Sequence, residues 1–282
     1  MASRGVLTRR VWLAGAGALV VGACSAPEAP RPTPSTGTPR PTRRSAGVVG
    51  APRELAVRPC PAAAPALESQ IQGEALAPRC HDGAWVFELP ATQWPTDRRR
   101  SEAWLIRPRG QRTYRAGERA AFDLRIRGSL GDAAESQEDW QSLWQLHGPT
   151  AGVWKGPAVA LMVRQGSWFI TGGTGHPDHD DISRSYRWEQ RLGPYRDGAQ
   201  HRLRLAVALS PDVRRGTVDA RLDDERPLRG YRPLSATGLA PGTMYPGQPV
   251  VTPRIGIYRG TLSGGLAPTY AQSVATSAVV IS

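Results

Sequence analysis

Lysine is almost missing from this chain. Of its 36 basic residues, 35 are arginine and one is Lys155. A lysine-poor, arginine- and alanine-rich chain reads as the product of a GC-rich genome. Nucleic-acid binding would need those cations gathered into a stripe, and in the sequence they are scattered, so nucleic acid is not an expected partner. The three cysteines are too few for a disulfide-built scaffold or a four-cysteine zinc site. No apolar run approaches the ~18 residues of a spanning helix. Aromatic residues are missing from the first 80 positions except for Trp12. There is no glycine-rich phosphate loop after a strand and no Gly-x-Ser-x-Gly elbow. The Glu-x-Asp-x-x-Glu strand that would suggest paired-carboxylate glycoside hydrolysis is also absent.

What is present divides in two. Residues 1–60 carry nine arginines and two acids, a net +7, whereas residues 61–282 carry 27 basic and 22 acidic residues, a net +5. Within the first part, Arg9-Arg10 precede a short apolar stretch, Val11 to Ala23, that ends at Val21-Gly22-Ala23-Cys24. The arginine pair resembles a twin-arginine export signal, and small residues before a cysteine resemble a lipoprotein lipobox. Residues 1–24 are therefore expected to be a signal peptide, with Cys24 lipidated. The alternative is an ordinary secretory peptide in which Cys24 is incidental. Residues 25–66 hold ten prolines in 42 positions and are expected to form a disordered tether. The folded domain is expected over 67–282. In an exported setting Cys60 and Cys80 are expected to pair, a two-cysteine metal site being the alternative.

From residue 81 onward the apolar period is two. Ala84–Leu89, Ala121–Ile126, Ser167–Thr171, Leu203–Leu209 and Val218–Leu222 alternate or run apolar over strand lengths, with Gly, Pro and Asp breakers between them. Many short strands at this spacing predict an all-β jelly-roll sandwich. The one helix expected is short, Ala133 to Gln141.

Three segments carry chemistry. Arg100 and Glu102 are two apart, so a strand turns both to one face, where they bind sugar hydroxyls or each other. In Trp140–Pro149, a strand puts Leu143, Gln145 and His147 on one face and Trp144 and Leu146 on the other. Gln145 and His147 then project into one cleft, and histidine is suited to proton transfer near neutral pH. In Pro253–Gly260, Ile255 and Ile257 face the core and Arg254 and Tyr258 face away. Gly256 between them leaves room for a ligand over the backbone. A cation beside a tyrosine favours the phenolate; the alternative is a plain surface Tyr–Arg contact.

Taken in order from Asp82 to Ser282, these segments resemble the heparin lyase I-like polysaccharide lyases, a concanavalin-like jelly-roll group. The set is Arg100-x-Glu102, Gln145-x-His147, Pro157–Leu161 on the next strand, Asp197–His201 before a long apolar strand, and Arg254–Arg259. The resemblance implies β-elimination on a uronic-acid polysaccharide. It makes His147 the base, Tyr258 the base or acid, and Gln145 the group that orients the carboxylate. Arg254 stands where the family has lysine; it keeps the charge but does not readily release a proton. Arg100, Glu102 and Lys155 join Gln145 as substrate-binding residues. At Val218–Glu225 the family commonly has an aromatic strand and an Asn-Gly turn, which this chain lacks. No cofactor is required by this chemistry. The run His176-Pro-Asp-His-Asp-Asp181 could still hold Ca²⁺ or a transition metal, against the plain reading of a solvated loop. The expected protein is an exported, lipid-anchored monomeric lyase that meets the membrane only through its anchor and takes an anionic polysaccharide as partner. The alternative is a non-catalytic carbohydrate-binding surface lipoprotein.

Overall fold

A computed structural model describes residues 55–57, 60, 69–72, 76–91, 99–105, 113–137, 139–148, 156–174, 186–261 and 271–281. The signal peptide with Cys24, the loop 176–181 and Lys155 lie outside the described residues.

Fifteen strands form two antiparallel sheets. In chain order they are β1 (Leu55–Val57), β2 (Ser69–Gln72), β3 (Leu76–His81), β4 (Ala84–Leu89), β5 (Arg99–Trp104), β6 (Arg119–Ser129), β7 (Asp139–His147) and β8 (Pro157–Arg164). There follow β9 (Ser167–Gly172), β10 (Trp188–Pro194), β11 (Gln200–Ala208), β12 (Thr217–Leu222), β13 (Glu225–Tyr231), β14 (Thr252–Thr261) and β15 (Gln272–Ile281). The eight-stranded sheet runs β13-β12-β11-β6-β15-β4-β3, with β1 also on β15, and the seven-stranded sheet runs β10-β9-β8-β7-β14-β5-β2. From β4 to β7, and again from β13 to β15, successive strands alternate between the sheets. That alternation is what makes the two sheets one jelly-roll sandwich.

The period-two segments become strands because one side of each is buried between the sheets. β6 and β11 alternate strictly between buried positions and half-buried or exposed ones. Phe122 of β6 meets Trp144 of β7 edge-on at 4.8 Å between ring centroids, which joins the sheets at their centre. Two segments depart from the sequence reading. The helix expected over Ala133–Gln141 is a single 3-10 turn, Gly131–Ala134, after which β7 begins at Asp139. The Ser136 hydroxyl accepts the Asp139 amide and ends the turn, and Gln141 is already fully buried in the strand. The stretch 25–66, expected as tether throughout, contains β1, which pairs with the end of β15. Cys60 is buried and joined to Cys80 as a disulfide, with Cα atoms 5.8 Å apart. At the β12–β13 hairpin, Leu222 faces Glu225 across a two-residue turn. This chain has no asparagine, and Asp223 takes the left-handed position (φ 53) that Asn commonly fills. Among the described residues no helix is long and apolar enough to cross a membrane.

Candidate active site

β14 lies between β5 and β7, and its register assembles the predicted residues. Arg254 is opposite Trp104 on one side and Gln145 on the other, Gly256 is opposite Glu102, and Tyr258 is opposite Arg100 and Ser142. His147 is level with Thr252. Ile255, Ile257, Trp144 and Leu146 belong to the apolar cluster between the sheets, so the alternate residues turn to the opposite face. Leu143, expected beside Gln145 and His147, joins the apolar cluster instead. The reason is a bulge between Ser142 and Trp144 against β8, which breaks the alternation at that point.

The site is built in two layers. The lower layer has no exposed surface: Glu102 and Gln145 are both fully buried, and the Gln145 amide donates to Glu102 Oε1. Arg100 Nε sits 3.0 Å from Glu102 Oε2. Burial pushes the Glu102 carboxyl up, while Arg100, Arg254 and the Gln145 amide hold it down. Glu102, expected to touch substrate, is fully buried and bonded to Gln145 and Arg100. Of the two expected roles of Arg100 and Glu102, the mutual ion pair is present.

The upper layer holds Arg100, Arg254, His147 and Tyr258. Arg100, Arg254 and His147 are each less than 9% exposed, whereas Tyr258 is half-buried and reaches the surface. The Arg100 guanidinium lies 4.0 Å above the Tyr258 ring. Trp140 meets the same ring edge-on at 5.0 Å. Arg254 lies 5.9 Å from the Trp104 ring centroid. Burial and Arg100 lower the Arg254 pKa against the pull of Glu102. With two guanidiniums over one carboxylate, this layer has at least one net positive charge whether or not Glu102 is ionised.

His147 Nδ1 is 2.8 Å from the Gly148 carbonyl oxygen. A carbonyl only accepts, so the geometry assigns the proton to Nδ1 and leaves a lone pair on Nε2. Burial, and then the charges of Arg254 and Arg100, lower the His147 pKa to about 4. His147 is therefore neutral at neutral pH.

Gly256 does not serve as expected. A Cβ there would collide with the Ser101 carbonyl and the Glu102 Cα and would touch Phe87. Its φ of 145 also disfavours any other residue. The missing side chain makes room for β5, not for a ligand. Gly260 is the position where absence of a side chain shapes the site, because a Cβ would run into the Trp140 ring that packs on Tyr258.

Sequence reasoning missed Trp104 and Trp140, which flank Arg254 and Tyr258. Their alternation with Arg100-x-Glu102 and Ser142 was a readable signal. It also missed β2, whose register sets Gln70 opposite Glu102 and Gln72 opposite Arg100. His201 holds a structural place, its Nδ1 3.1 Å from Asp223 and its Nε2 accepting the Arg196 amide. Among the described residues no group of three or more His, Cys, Asp or Glu is placed to hold a metal.

Two antiparallel sheets in jelly-roll order, with a cationic and aromatic layer on the middle strands of one sheet, define a jelly-roll β-sandwich. The chain is similar to several solved structures. An endo-β-1,4-glucuronan lyase from the fungus Trichoderma reesei is 17% identical, with 76% of this chain and 86% of that chain covered and a TM-score of 0.52. A marine family 7 alginate lyase from Zobellia galactanivorans is 11% identical, with 78% and 96% covered and a TM-score of 0.49. An alginate lyase from Klebsiella pneumoniae is 12% identical, with 71% and 81% covered and a TM-score of 0.48. No family model and no curated protein matches the sequence.

Proposed function

We propose that this chain cleaves a uronic-acid-containing polysaccharide by β-elimination. One observation carries the reading: a neutral histidine of fixed tautomer and a surface-reaching tyrosine share a buried layer with two arginines. Arg254 and Arg100 bind the uronate carboxylate and offset its charge, which makes the C5 proton more acidic. His147 Nε2 removes that proton. The C5–H electron pair becomes the C4=C5 double bond, the C4–O4 bond breaks, and the Tyr258 hydroxyl donates its proton to the departing O4. Bound carboxylate also offsets the cations that hold the His147 pKa down, so His147 becomes a stronger base in the complex. Glu102 and Gln145 are positioning residues: they fix Arg100 and reach the carboxylate only through it. Arg254 in the lysine position serves neutralisation alone. The glucuronan lyase similarity supports the fold, and the heparin lyase I-like affiliation rests on the ordered motifs.

The same reading makes the protein an exported monomer. Residues 1–24 target it, Cys24 anchors it by lipid, and the tether holds it away from the membrane. No cofactor is required for the steps above, and Ca²⁺ at 176–181 is an optional addition. Lys155 is assigned to substrate binding on the sequence reading alone. The test is incubation with glucuronan, alginate and heparin, with and without Ca²⁺, while absorbance of the unsaturated product is followed. Absence of new absorbance on all three would sink the lyase. A second reading, a non-catalytic carbohydrate-binding module, is favoured by arginine at position 254, which does not readily release a proton. It predicts that the native protein binds the polymer and forms no product.

A further inference from the structure

The larger cationic surplus of the folded region lies away from the candidate site. β6, β11, β12 and β13 of the eight-stranded sheet carry eight arginines and three acids. That surplus of five equals the whole net charge of residues 61–282. None of the eleven is buried. Those of β6, β11 and β12 point away from the core because their neighbours Phe122, Leu124, Ile126, Leu203, Leu205, Val218 and Ala220 fill it.

The arrangement is costly as well as basic. Arg125 faces Arg202 directly across β6 and β11, and Arg204 faces Arg221 directly across β11 and β12. Like charges in directly opposed positions destabilise a sheet. Asp123 offsets part of this, accepting from Arg202 Nε at 2.9 Å and lying 3.7 Å from Arg204. Arg119 and Arg226 share Asp219. For Arg125, Arg127 and Arg221 no carboxylate lies within ion-pair distance among the described residues; Arg127 Nε donates to the Gly198 carbonyl. The strands are ~4.8 Å apart and same-face residues ~6.7 Å apart along each, so the guanidiniums form a grid. Between them stand Ala121 and Ala206, with no aromatic ring to stack a base and no bulky apolar residue to enter a bilayer.

We infer that this face is a second binding site for an anionic polysaccharide, which docks an extended chain across β6, β11 and β12 while another stretch of polymer is free to meet the candidate active site. Guanidiniums pair with carboxylates in a planar, two-pronged geometry, which suits a polymer with one carboxylate per sugar. The choice of polymer rests on the proposed function; the existence of the site rests on the charge grid alone.

The experiment uses the full chain in the non-cleaving H147A/Y258F background. Binding to polymeric glucuronan and alginate is measured against salt, for this protein and for the same protein carrying R125Q/R127Q/R221Q. The site predicts at least a tenfold weaker polymer affinity in the triple variant and a smaller salt slope, by roughly one unit per cation removed. R125K/R127K/R221K, which keeps the charge, is expected to retain most of the affinity and controls for folding. In the otherwise native enzyme, the triple variant is expected to leave kcat and KM on a short oligosaccharide unchanged and to raise KM on polymer. Unchanged polymer affinity in the triple variant overturns the inference. So does binding only to phosphatidylglycerol vesicles or duplex DNA through these arginines. If no polymer is cleaved but the triple variant still loses uronan binding, the lyase reading falls and the surface site stands.

Discussion

On β5, β7 and β14 of the seven-stranded sheet, all six formally charged residues are buried: Arg99, Arg100, Glu102, Asp139, Arg254 and Arg259. On β6, β11, β12 and β13 of the other sheet, none of the eleven is. The sheets have the same strand geometry and share one core, so the backbone does not explain the difference. It lies in what each charge is bonded to. Buried arginines need fixed acceptors: Arg99 donates to the Pro90 carbonyl at 2.8 Å, Arg259 to Gln272 at 3.0 Å, and Arg100 pairs with Glu102. Exposed ones are solvated and need none. One sheet therefore holds few charges in defined positions, as transition-state stabilisation requires. The other presents many charges that act by number.

If that contrast is right, substitutions in the buried layer have large and specific effects. H147A or Y258F is expected to lower kcat on a uronan by about 10²–10⁴-fold, the usual range for losing a general acid or base. Stability measured by urea unfolding should change little beside that loss. Equal activity in either variant would break the mechanism. E102A removes the carboxylate beneath two buried guanidiniums and is expected to cost about 3–5 kcal/mol by the same unfolding measurement. A loss under about 1 kcal/mol would mean that the buried charges do not depend on one another.

The pH dependence tests the same layer. Free His147 titrates at about 4 in the folded protein and 6.5 when unfolded. It is the unprotonated form that acts as base, so kcat/KM should hold level from neutral pH downward and fall only as pH approaches about 4. Between 6.5 and 4 the unfolded chain binds more protons, so stability should also decline over that window as pH drops. H147Q should remove that part of the decline. A kcat/KM profile that already falls at pH 6.5 would show a solvated histidine instead.

Smaller effects follow at the margins. G260A forces Trp140 off the Tyr258 edge and is expected to cost about 1–3 kcal/mol, the range for overpacking, with a matching change in tryptophan fluorescence. On the other sheet, R125Q and R221Q should each change stability by no more than about 0.5 kcal/mol, with the sign toward stabilisation because each relieves an opposed arginine. A loss of several kcal/mol there would erase the contrast between the sheets.

Much of the fold was legible because a period of two is set by burial on one side, and β6 and β11 carry it plainly. The site was legible in composition because Arg100, Gln145, His147, Arg254 and Tyr258 sit on strands whose register brings them together. Which of them meets solvent was not legible. That depends on stacking across three strands, and stacking put Glu102 and Gln145 beneath Arg100. The helix expected at 133–141 failed because Ala-Ala-Glu is helix-prone locally, while Trp140 and Gln141 are claimed by the sheet. The charge surplus of residues 61–282 was correctly counted, but a sum has no direction, and only the alternation of β6 and β11 turns it to the far face.

β15 lies between β6 and β4 and also pairs with β1, yet it follows all of them in the sequence. During synthesis, β4 and β6 must therefore wait with open edges more than a hundred residues for the strand that joins them. Open edges are where chains pair wrongly. Charged side chains on an open edge disfavour such pairing, and β6 carries Arg119, Arg125 and Arg127.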